Sequence, residues 1–403
     1  QSDTTCPPEA ATALLRLVST PAAAQQHLPV KGGHVATVAG PKARATLHTP
    51  VAEWPRQRTR TRSTPCWASC PPCPGARRPR HPRGRRWRRG PLTLWRYQRA
   101  ADAPAGGRPV LLLPSIITRP YIFDLRRGQS LIEFLCAETG RDVFMLDWGR
   151  PGRLDADLGL EDYALKLMRP ALREVLRLSG HPSAHLLGYC LGGTFALIAA
   201  TRLPGQVASV LALTTPVALA EPGAVGSLID ERLLDLTRLA AAYPVVPGPL
   251  LWTAFQALDP TGIGKKWRGF QQRAPEDPEF RARFLAQEGW LADPVDVTAR
   301  ALIDIVQRLY REDALWQGTL AIDGQPVRLE DGRCPVINLI AQGDGIVPPP
   351  ASRALAERWG GPVTTREFSG GHVGITVGSK ARAGMWNTAA EWMAARDSQE
   401  VSS

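Results

Sequence analysis

Short apolar runs separated by amphipathic segments make up most of the chain after residue 90. Continuous apolar runs bounded by turn residues are typical of strands that are covered on both faces in a parallel sheet. The segments between them predict helices, and right-handed crossovers then give a doubly wound, mostly parallel sheet. The pattern therefore predicts an α/β fold. The predicted core strands are Val110–Ile116, Asp142–Trp148, His185–Tyr189, Val207–Thr215, Val336–Gln342 and Thr364–Phe368.

The alternation of strands and helices lapses between Pro216 and about Arg333, where helical patterns and a hairpin-like segment, TLAIDGQPVRLEDG, replace it. An insertion at this point forms a helical cap over the carboxyl ends of the strands, where it excludes water and shapes a pocket. The predicted division is a core of residues 91–217 and 334–397, an inserted cap of residues 218–333 and a disordered tail of residues 398–403.

The first 90 residues differ from the rest in composition. One helix is predicted there, Pro8–Val18, and Pro, Arg and Thr dominate residues 50–90. This composition buries too little apolar surface to offset the entropy of ordering, so we predict that residues 1–90 are poorly structured. The bias toward Arg, Pro, Cys and Trp is also what G+C-rich DNA gives when read out of frame, and we hypothesise a frameshift within residues 50–90.

The formal net charge of +12 is confined to one stretch of the chain. Arg56–Arg89 holds 12 Arg and no Asp, Glu or Lys, which leaves the remaining chain neutral. A protein that binds nucleic acid spreads positive charge over a folded face, and this chain does not show that pattern. We therefore predict no nucleic-acid partner.

The seven cysteines follow no regular spacing, and a chain of 403 residues does not need disulfides to stabilise its core. Cys66, Cys70 and Cys73 cluster, but a structural zinc site takes four ligands and the nearest histidine, His81, lies in a Pro/Arg run. We predict reduced thiols and no metal site. Because no apolar run is long enough to span a membrane and no secretory signal is visible, a cytosolic protein is expected.

The strongest local signal is the segment Gly188-Tyr189-Cys190-Leu191-Gly192, which joins an apolar strand to an apolar helix. A nucleophile elbow needs small residues two before and two after the nucleophile, which it holds in a strained conformation at the helix N-terminus. This predicts the α/β-hydrolase fold with Cys190 as nucleophile. The helix terminus favours a thiolate, and the backbone N–H of Leu191 becomes one oxyanion-hole donor. The alternative is a buried structural cysteine.

An elbow of this kind predicts an acid after a later strand and a histidine after the last one. Asp344 follows the apolar run VINLIAQG, and His372 follows Phe368 in a Gly-rich loop, 28 residues beyond Asp344. Each alone could be a turn or loop residue. Together they predict a catalytic triad in which His372 transfers the thiol proton and Asp344 orients the imidazole.

The second oxyanion donor is expected in the loop after the first core strand, and we assign it to the backbone N–H of Ile117. Arg119 and Asp124 lie in the same loop. Their alternative role is a structural ion pair or a loop anchor, which is the commoner fate of charged residues there.

From about Pro91 to Asp397 the chain resembles the catalytic subunit of a class III polyhydroxyalkanoate synthase. Plain hydrolases share only the elbow and the triad order, whereas this resemblance extends over several separated motifs. These are RPYIFDL, VFMLDWGRPG, GYCLGGT, the cap segment around Gly289-Trp290-Leu291, LWQGTLAIDGQPVRLED, GDGIVPP and SGGHVGITVG.

The resemblance implies that (R)-3-hydroxyacyl-coenzyme A acylates Cys190, which then carries the growing polyester while coenzyme A leaves. It implies that Asp344 also helps to activate the hydroxyl of the next monomer. It implies no metal or prosthetic group, a second non-catalytic synthase subunit, association with polymer granules, and a homo- or hetero-oligomer.

The chain departs from the family in two places. Family members usually carry a His directly after the catalytic Asp, where this chain has Gly345. The N-terminal strands expected between Val51 and Gly90 are replaced by the Arg/Pro stretch, so that the sheet is expected to lack its outer strands.

Three functional hypotheses remain open on the sequence alone. Polyester synthesis is the first, a thioesterase or intracellular polyhydroxyalkanoate depolymerase with the same Cys triad is the second, and an inactive granule-binding relative is the third. One apolar stretch, Val245–Phe255, is interpreted as a buried cap helix, with docking on lipid or polymer as the alternative.

Overall fold

The computed structural model of the chain describes residues 83–97, 99, 107–219, 224–232, 234–257 and 260–401. The predicted helix Pro8–Val18, the cysteine cluster at residues 66–73 and the Arg/Pro stretch up to residue 82 lie outside the described residues.

An eight-stranded sheet forms the centre of the described fold. Its strands are β1 (Arg83–Arg89), β2 (Leu92–Tyr97), β3 (Val110–Leu113), β4 (Val143–Asp147), β5 (Ala184–Tyr189), β6 (Val207–Leu213), β7 (Val336–Ala341) and β8 (Val363–Phe368). They lie in the order β1-β2-β4-β3-β5-β6-β7-β8. The first two strands pair antiparallel and the other six run parallel, so the predicted mostly parallel, doubly wound sheet is confirmed.

Helices connect the parallel strands and cover the sheet. The α-helices are α1 (Leu131–Glu138), α2 (Met168–Ser179), α3 (Leu191–Arg202), α4 (Ala224–Ile229), α5 (Leu236–Ala242), α6 (Gly248–Gln256), α7 (Pro260–Arg273), α8 (Pro278–Leu291), α9 (Ala299–Asp304), α10 (Ala314–Gln317), α11 (Pro349–Arg353), α12 (Leu355–Arg358), α13 (Gly374–Val377) and α14 (Asn387–Val401). Turns of π-helix occur at Asp162–Lys166, Ile305–Arg311 and Arg382–Trp386, and short 3₁₀ turns at Pro120–Phe123, Arg153–Asp155 and Leu329–Asp331.

The central strands are buried because helices cover both faces. All four residues of β3 and all six of β5 and β7 are inaccessible to solvent, as expected for continuous apolar runs. Two predicted strands extend two or three residues beyond their observed ends. The strand predicted to end at Ile116 ends at Leu113, because Pro114 cannot donate to the ladder. The strand predicted to end at Thr215 ends at Leu213, since Thr214 turns away with φ +45°.

The predictions that residues 1–90 are poorly structured and that the outer strands are missing were wrong for the end of that segment. β1 pairs antiparallel with β2 across a turn at Gly90, where φ is +58°. β2 anchors the hairpin because Leu92 and Leu94 are fully buried in the core. The exposed side chains of Arg88 and Arg89 keep the outer edge charged, which discourages pairing with another chain.

The predicted disordered tail from residue 398 was also wrong in part, because α14 runs on to Val401. The helix packs on the core through Trp392 and Met393, both of which are buried.

The segment between β6 and β7 contains helices α4–α10 and two short ladders. One ladder joins Val245–Val246 to Val297–Thr298. The other is the predicted hairpin, which pairs Ala321–Ile322 with Gln325–Pro326 across a two-residue Asp-Gly turn. Within the described ranges, no helix is both long and apolar enough to cross a membrane.

A buried polar network links α14 to the amino-terminal ends of β5 and β6. This is the end of these strands opposite to the Cys190 turn. The Nε2 atom of His185 lies 3.3 Å from Asp397, and its Nδ1 atom lies 2.8 Å from the Ser209 hydroxyl. Ser209 in turn accepts a hydrogen bond from the Trp392 indole N–H. This chain of donors fits a neutral His185 with its proton on Nε2, and burial lowers the pKa of His185 accordingly.

Asp397 should be the most important residue of that network for stability. Its carboxylate also pairs with Arg108 at 3.0 Å and Arg141 at 2.6 Å, both of which are nearly buried. Replacing Asp397 with Asn removes the carboxylate that pairs with these two cations, and we expect the free energy of unfolding to fall by about 3 to 5 kcal/mol. Urea denaturation measures the loss. Glu391→Gln, an exposed change on the same helix, should stay within about 0.5 kcal/mol of wild type.

The same network predicts how stability depends on pH. Burial opposes ionisation of Asp397, but His185 and Arg141 outweigh it and hold the pKa of that carboxyl well below its usual range. The pKa of His185 is also lowered, so both groups bind protons more readily in the unfolded chain. The stabilisation is fully present above pH about 6.5 and is lost in two stages, which begin near pH 6.5 for His185 and near pH 3.9 for Asp397 and end at the lower pKa of each folded group. An unchanged acid profile in Asp397→Asn would contradict this assignment.

Candidate active site

Cys190 lies in the tight turn between β5 and α3, as the sequence predicted. Its backbone has φ +55° and ψ −128°, a conformation that side chains rarely adopt. Such strain persists only where the surroundings enforce it, and it is typical of functional turns. Cys190 is 6% exposed and stands as the residue that caps the N-terminus of α3. The turn therefore presents the thiol at the positive end of a helix.

Two glycines allow the turn to be this sharp. A Cβ atom on Gly192 would overlap the carbonyl oxygens of Leu113 and Pro114, because the first turn of α3 packs directly on the end of β3. A Cβ atom on Gly188 would overlap the backbone of Gly192 and Gly193. Both are close approaches of backbone to backbone, which explains why the elbow requires glycine at these two offsets.

Asp344 and His372 meet at the carboxyl ends of β7 and β8. The Nδ1 atom of His372 lies 2.7 Å from Asp344 Oδ2, and the other carboxylate oxygen accepts the backbone N–H groups of Ile346 and Val347 at 2.9 Å each. The carboxylate is thus fixed by three hydrogen bonds. Its position sets the orientation of the imidazole, and Cys190 lies on the wall of the same cavity as His372, close enough to raise the pKa of the imidazole.

The surroundings of His372 favour its charged form. Burial by itself lowers the pKa of His372, but Cys190 and Asp344 raise it more strongly, and the net result is a pKa of about 10. The ring of Tyr189 packs against the imidazole with a centroid separation of 5.0 Å. Burial raises the pKa of Tyr189, so the phenol stays neutral beside the pair. The site can therefore hold a proton on the imidazole next to the sulfur.

A cavity of about 510 Å³ opens above Cys190 and His372. The core side of its wall includes Ser115, Ile117, Arg119 and Tyr189. The cap side is mostly apolar and includes Leu251, Trp252, Phe255, Ile263, Trp290 and Leu291. A cavity of this size and character suits a small acyl group. The stretch Val245–Phe255 supplies part of this wall through α6. The interpretation of that stretch as a buried helix was wrong for most of α6, because only Gly248 is buried in it and Leu250 is 43% exposed.

The structure places one predicted oxyanion donor, Leu191, directly after Cys190 and the other, Ile117, on the cavity wall. Leu191 is the first residue of α3, so its N–H has no acceptor within the helix. Ile117 lines the cavity in the loop after β3. The structure thus brings both residues to the site, and their roles as donors remain predictions.

Arg119 and Asp124 do not form an ion pair with each other, so the first of the two structural roles considered for them was wrong. Arg119 instead contacts Asp293 of the cap at 3.2 Å, and its carbonyl oxygen accepts the Trp290 indole N–H at 2.9 Å. Asp124 accepts a hydrogen bond from Ser130 at 2.8 Å. Arg119 is therefore an anchor between the core loop and the cap, through residues more than 170 positions away in sequence.

The described part of the chain contains no cluster of three or more His, Cys, Asp or Glu side chains that could hold a metal ion. The three described cysteines, Cys136, Cys190 and Cys334, are free thiols. The predicted absence of a cofactor stays a prediction.

Comparison with known proteins identifies the family. Residues 109–378 match the alpha/beta hydrolase fold family, which confirms the predicted fold class. A poly(3-hydroxyalkanoate) polymerase subunit PhaC from Allochromatium vinosum is 32% identical over 305 residues, covering 75% of this chain and 85% of that protein. The chain belongs to the PhaC family. The PhaC subunit of Thiocystis violacea is 30% identical with the same coverage, and that of Haloferax mediterranei is 31% identical, covering 72% of this chain and 59% of that protein.

This chain has Gly345 where PhaC-family members usually have a histidine. Asp344 and His372 remain hydrogen-bonded despite this difference. Asp344 reaches His372 with glycine at the following position, and a Cβ atom on Gly345 would meet nothing within 4 Å. A histidine there is thus neither needed for the Asp344–His372 hydrogen bond nor excluded by space.

Sequence reasoning missed several residues of the site. Ser115, Trp252 and Lys266 line the cavity, but no motif or spacing pointed to them. Ser115 lies in the loop after β3, whereas Trp252 and Lys266 lie on α6 and α7, and which face of a cap helix lines the cavity depends on how the cap packs on the core. Trp290 belonged to a motif of the family resemblance, and the structure now places it on the cavity wall.

Proposed function

We propose that this chain is an acyltransferase that polymerises (R)-3-hydroxyacyl-coenzyme A into polyhydroxyalkanoate through a thioester on Cys190. The observation that carries the proposal is that Cys190 and His372 line one mostly apolar cavity while Asp344 hydrogen-bonds the imidazole from behind. Membership of the PhaC family supports it, because the relatives are named as poly(3-hydroxyalkanoate) polymerase subunits.

In the first half-reaction the Cys190 thiolate attacks the thioester carbonyl of the substrate. A new carbon–sulfur bond forms, the bond to the coenzyme A sulfur breaks, and His372 gives its proton to the departing thiolate. Asp344 accepts a hydrogen bond from the Nδ1–H of His372, which leaves Nε2 to face the reacting sulfur atoms. The N–H of Leu191 and that of Ile117 stabilise the oxyanion that forms on the way.

In the second half-reaction the 3-hydroxyl of another monomer attacks the acylated cysteine. His372, neutral after the first step, accepts the hydroxyl proton while an ester bond forms and the Cys190 thiolate leaves. A cysteine suits this exchange, because thioester to thioester transfer is nearly isoenergetic and keeps the acyl group activated. Both oxygens of Asp344 are engaged by His372 and two backbone N–H groups, so its effect on the hydroxyl passes through His372.

We also propose the partners that the family resemblance implies. These are a second non-catalytic synthase subunit, the surface of a polymer granule in the cytoplasm, and assembly into a homo- or hetero-oligomer. The relatives' names support the first, since they call the proteins subunits. The chemistry described above needs no metal or prosthetic group, because protons move only among the substrate, Cys190 and His372.

The product formed from 3-hydroxybutyryl-coenzyme A tests the proposal. Incubation of the full chain should release coenzyme A and form insoluble polyester in equal monomer equivalents. Free 3-hydroxybutyrate in place of polymer would show that water deacylates Cys190, as in a thioesterase or depolymerase. No release of coenzyme A, with and without a synthase partner subunit, would contradict an enzymatic role.

A further inference from the structure

Ser115 is a buried polar side chain beside the nucleophile, and its hydroxyl has no hydrogen-bond partner. It is 1% exposed, and it lies on the wall of the cavity that contains Cys190 and His372. A buried hydroxyl without a partner is unfavourable and is rare in folded proteins, so each instance needs a reason. The stability of the fold does not explain the unpaired hydroxyl of Ser115.

Two other buried hydroxyls near the elbow are satisfied, whereas the hydroxyl of Tyr189, also on the cavity wall, lacks a partner as that of Ser115 does. The hydroxyl of Thr194 donates to the Pro216 carbonyl at 2.8 Å, and that of Ser352 donates to the Thr215 carbonyl at 2.7 Å. Ser115 differs because only its backbone is engaged: its carbonyl oxygen accepts the N–H of Thr118 at 3.3 Å. The loop is therefore held in place while the Ser115 hydroxyl stays available.

The register of the sheet places Ser115 level with Cys190. β3 and β5 are neighbouring parallel strands in which Leu113 pairs with Gly188. Ser115 comes two residues after Leu113, and Cys190 comes two residues after Gly188. Adjacent strands lie about 4.8 Å apart, so the two residues leave the sheet side by side at the same end. Packing of Gly192 on the Leu113 carbonyl keeps the two turns together.

We propose that the Ser115 hydroxyl donates a hydrogen bond to the carbonyl oxygen of the thioester on Cys190. This inference rests on the proposed function and makes Ser115 a catalytic residue in addition to the backbone donors. A donor aimed at the oxyanion contributes most as negative charge develops on the oxygen, and it contributes little to binding of the ground state. The hydroxyl acquires its partner only when acyl thioester is present, which explains why it is unpaired in the free chain.

Ser115→Ala separates this role from a structural one. With 3-hydroxybutyryl-coenzyme A as substrate, we expect kcat for coenzyme A release to fall about 10- to 100-fold while KM changes little. The free energy of unfolding should stay the same or rise, because the change removes an unsatisfied buried hydroxyl. The pH profile should keep its shape, since His372 and Asp344 are untouched. Ser115→Thr, which restores a hydroxyl, should recover most of the lost rate.

Ser209→Ala is the matched control, because its hydroxyl has partners in His185 and Trp392 and lies away from the cavity. It should lose stability and keep its activity. A rate within twofold of wild type for Ser115→Ala, or a loss accompanied by lower stability and a shifted pH profile, would overturn the inference. If Ser115→Ala is fully active while Cys190→Ala is inactive, the thioester route stands and only the role of Ser115 falls.

Discussion

Replacing Cys190 with alanine should lower the release of coenzyme A by about 10⁴-fold or more. The reason is that every later step of the proposed reaction needs the acyl group on the Cys190 sulfur. The strained backbone of Cys190 is accommodated by Gly188 and Gly192 and does not depend on the thiol, so the variant should fold. Coenzyme A release followed with a thiol reagent, and polymer recovered by centrifugation, measure the loss.

Two other cysteines provide a control for this experiment. Burial raises the pKa of Cys136 to about 12 and that of Cys334 to about 12, so both remain protonated and unreactive at neutral pH. Cys136→Ala and Cys334→Ala should therefore retain close to wild-type rates.

In the wild-type chain, a covalent adduct of the acyl group should be found by mass spectrometry on the peptide that contains Cys190. Undiminished turnover in Cys190→Ala would remove the thioester mechanism.

The elbow could be predicted from the sequence because its determinants are contiguous. A strand, a turn with two small residues and a helix all fall within about 20 residues around Cys190, and backbone sterics link them directly. Asp344 and His372 could be predicted because the topology carries the ends of β7 and β8 to the same edge of the sheet as the elbow. In each case the fold itself determines the position.

Features that depend on packing between distant segments could not be predicted. Arg119 contacts Asp293 across 174 positions, and which acid it meets depends on how the cap rests on the core. β1 was read as disordered because its composition is unfavourable, yet pairing with β2 orders it. The free hydroxyl of Ser115 gives no signal at all in sequence, because an unsatisfied donor is recognised only when its neighbours are known.

The cap and the core are joined close to the cavity, which links substrate access to a few polar contacts. Trp290 and Asp293 hold the loop that carries Ile117, while Arg126 binds Glu279 of α8 through two hydrogen bonds of 2.6 and 2.9 Å. The loop that supplies the proposed oxyanion donors is thus positioned partly by the cap. Substitutions at these contacts would alter catalysis without touching the reacting atoms.

Asp344→Asn should lower kcat by about 10³- to 10⁴-fold while leaving the fold in place. The amide oxygen can still accept the backbone N–H groups of Ile346 and Val347. Its NH₂ group then faces His372 and donates to Nδ1, which moves the imidazole proton to Nε2. In that tautomer the nitrogen beside Cys190 carries a hydrogen and cannot accept one, so proton transfer with sulfur fails.

The same substitution should change the pH dependence of the residual rate. Asp344 is one of the groups that raise the pKa of His372 to about 10, so its loss lowers that pKa toward the ordinary value. The imidazolium that protonates coenzyme A is present below the pKa and is lost above it. The alkaline limb of the profile, expected near pH 10 in the wild type, should therefore move to lower pH in the variant. Asp331→Asn, an exposed acid before β7, is the control and should keep both rate and profile. A near wild-type rate for Asp344→Asn would mean that another carboxylate orients His372.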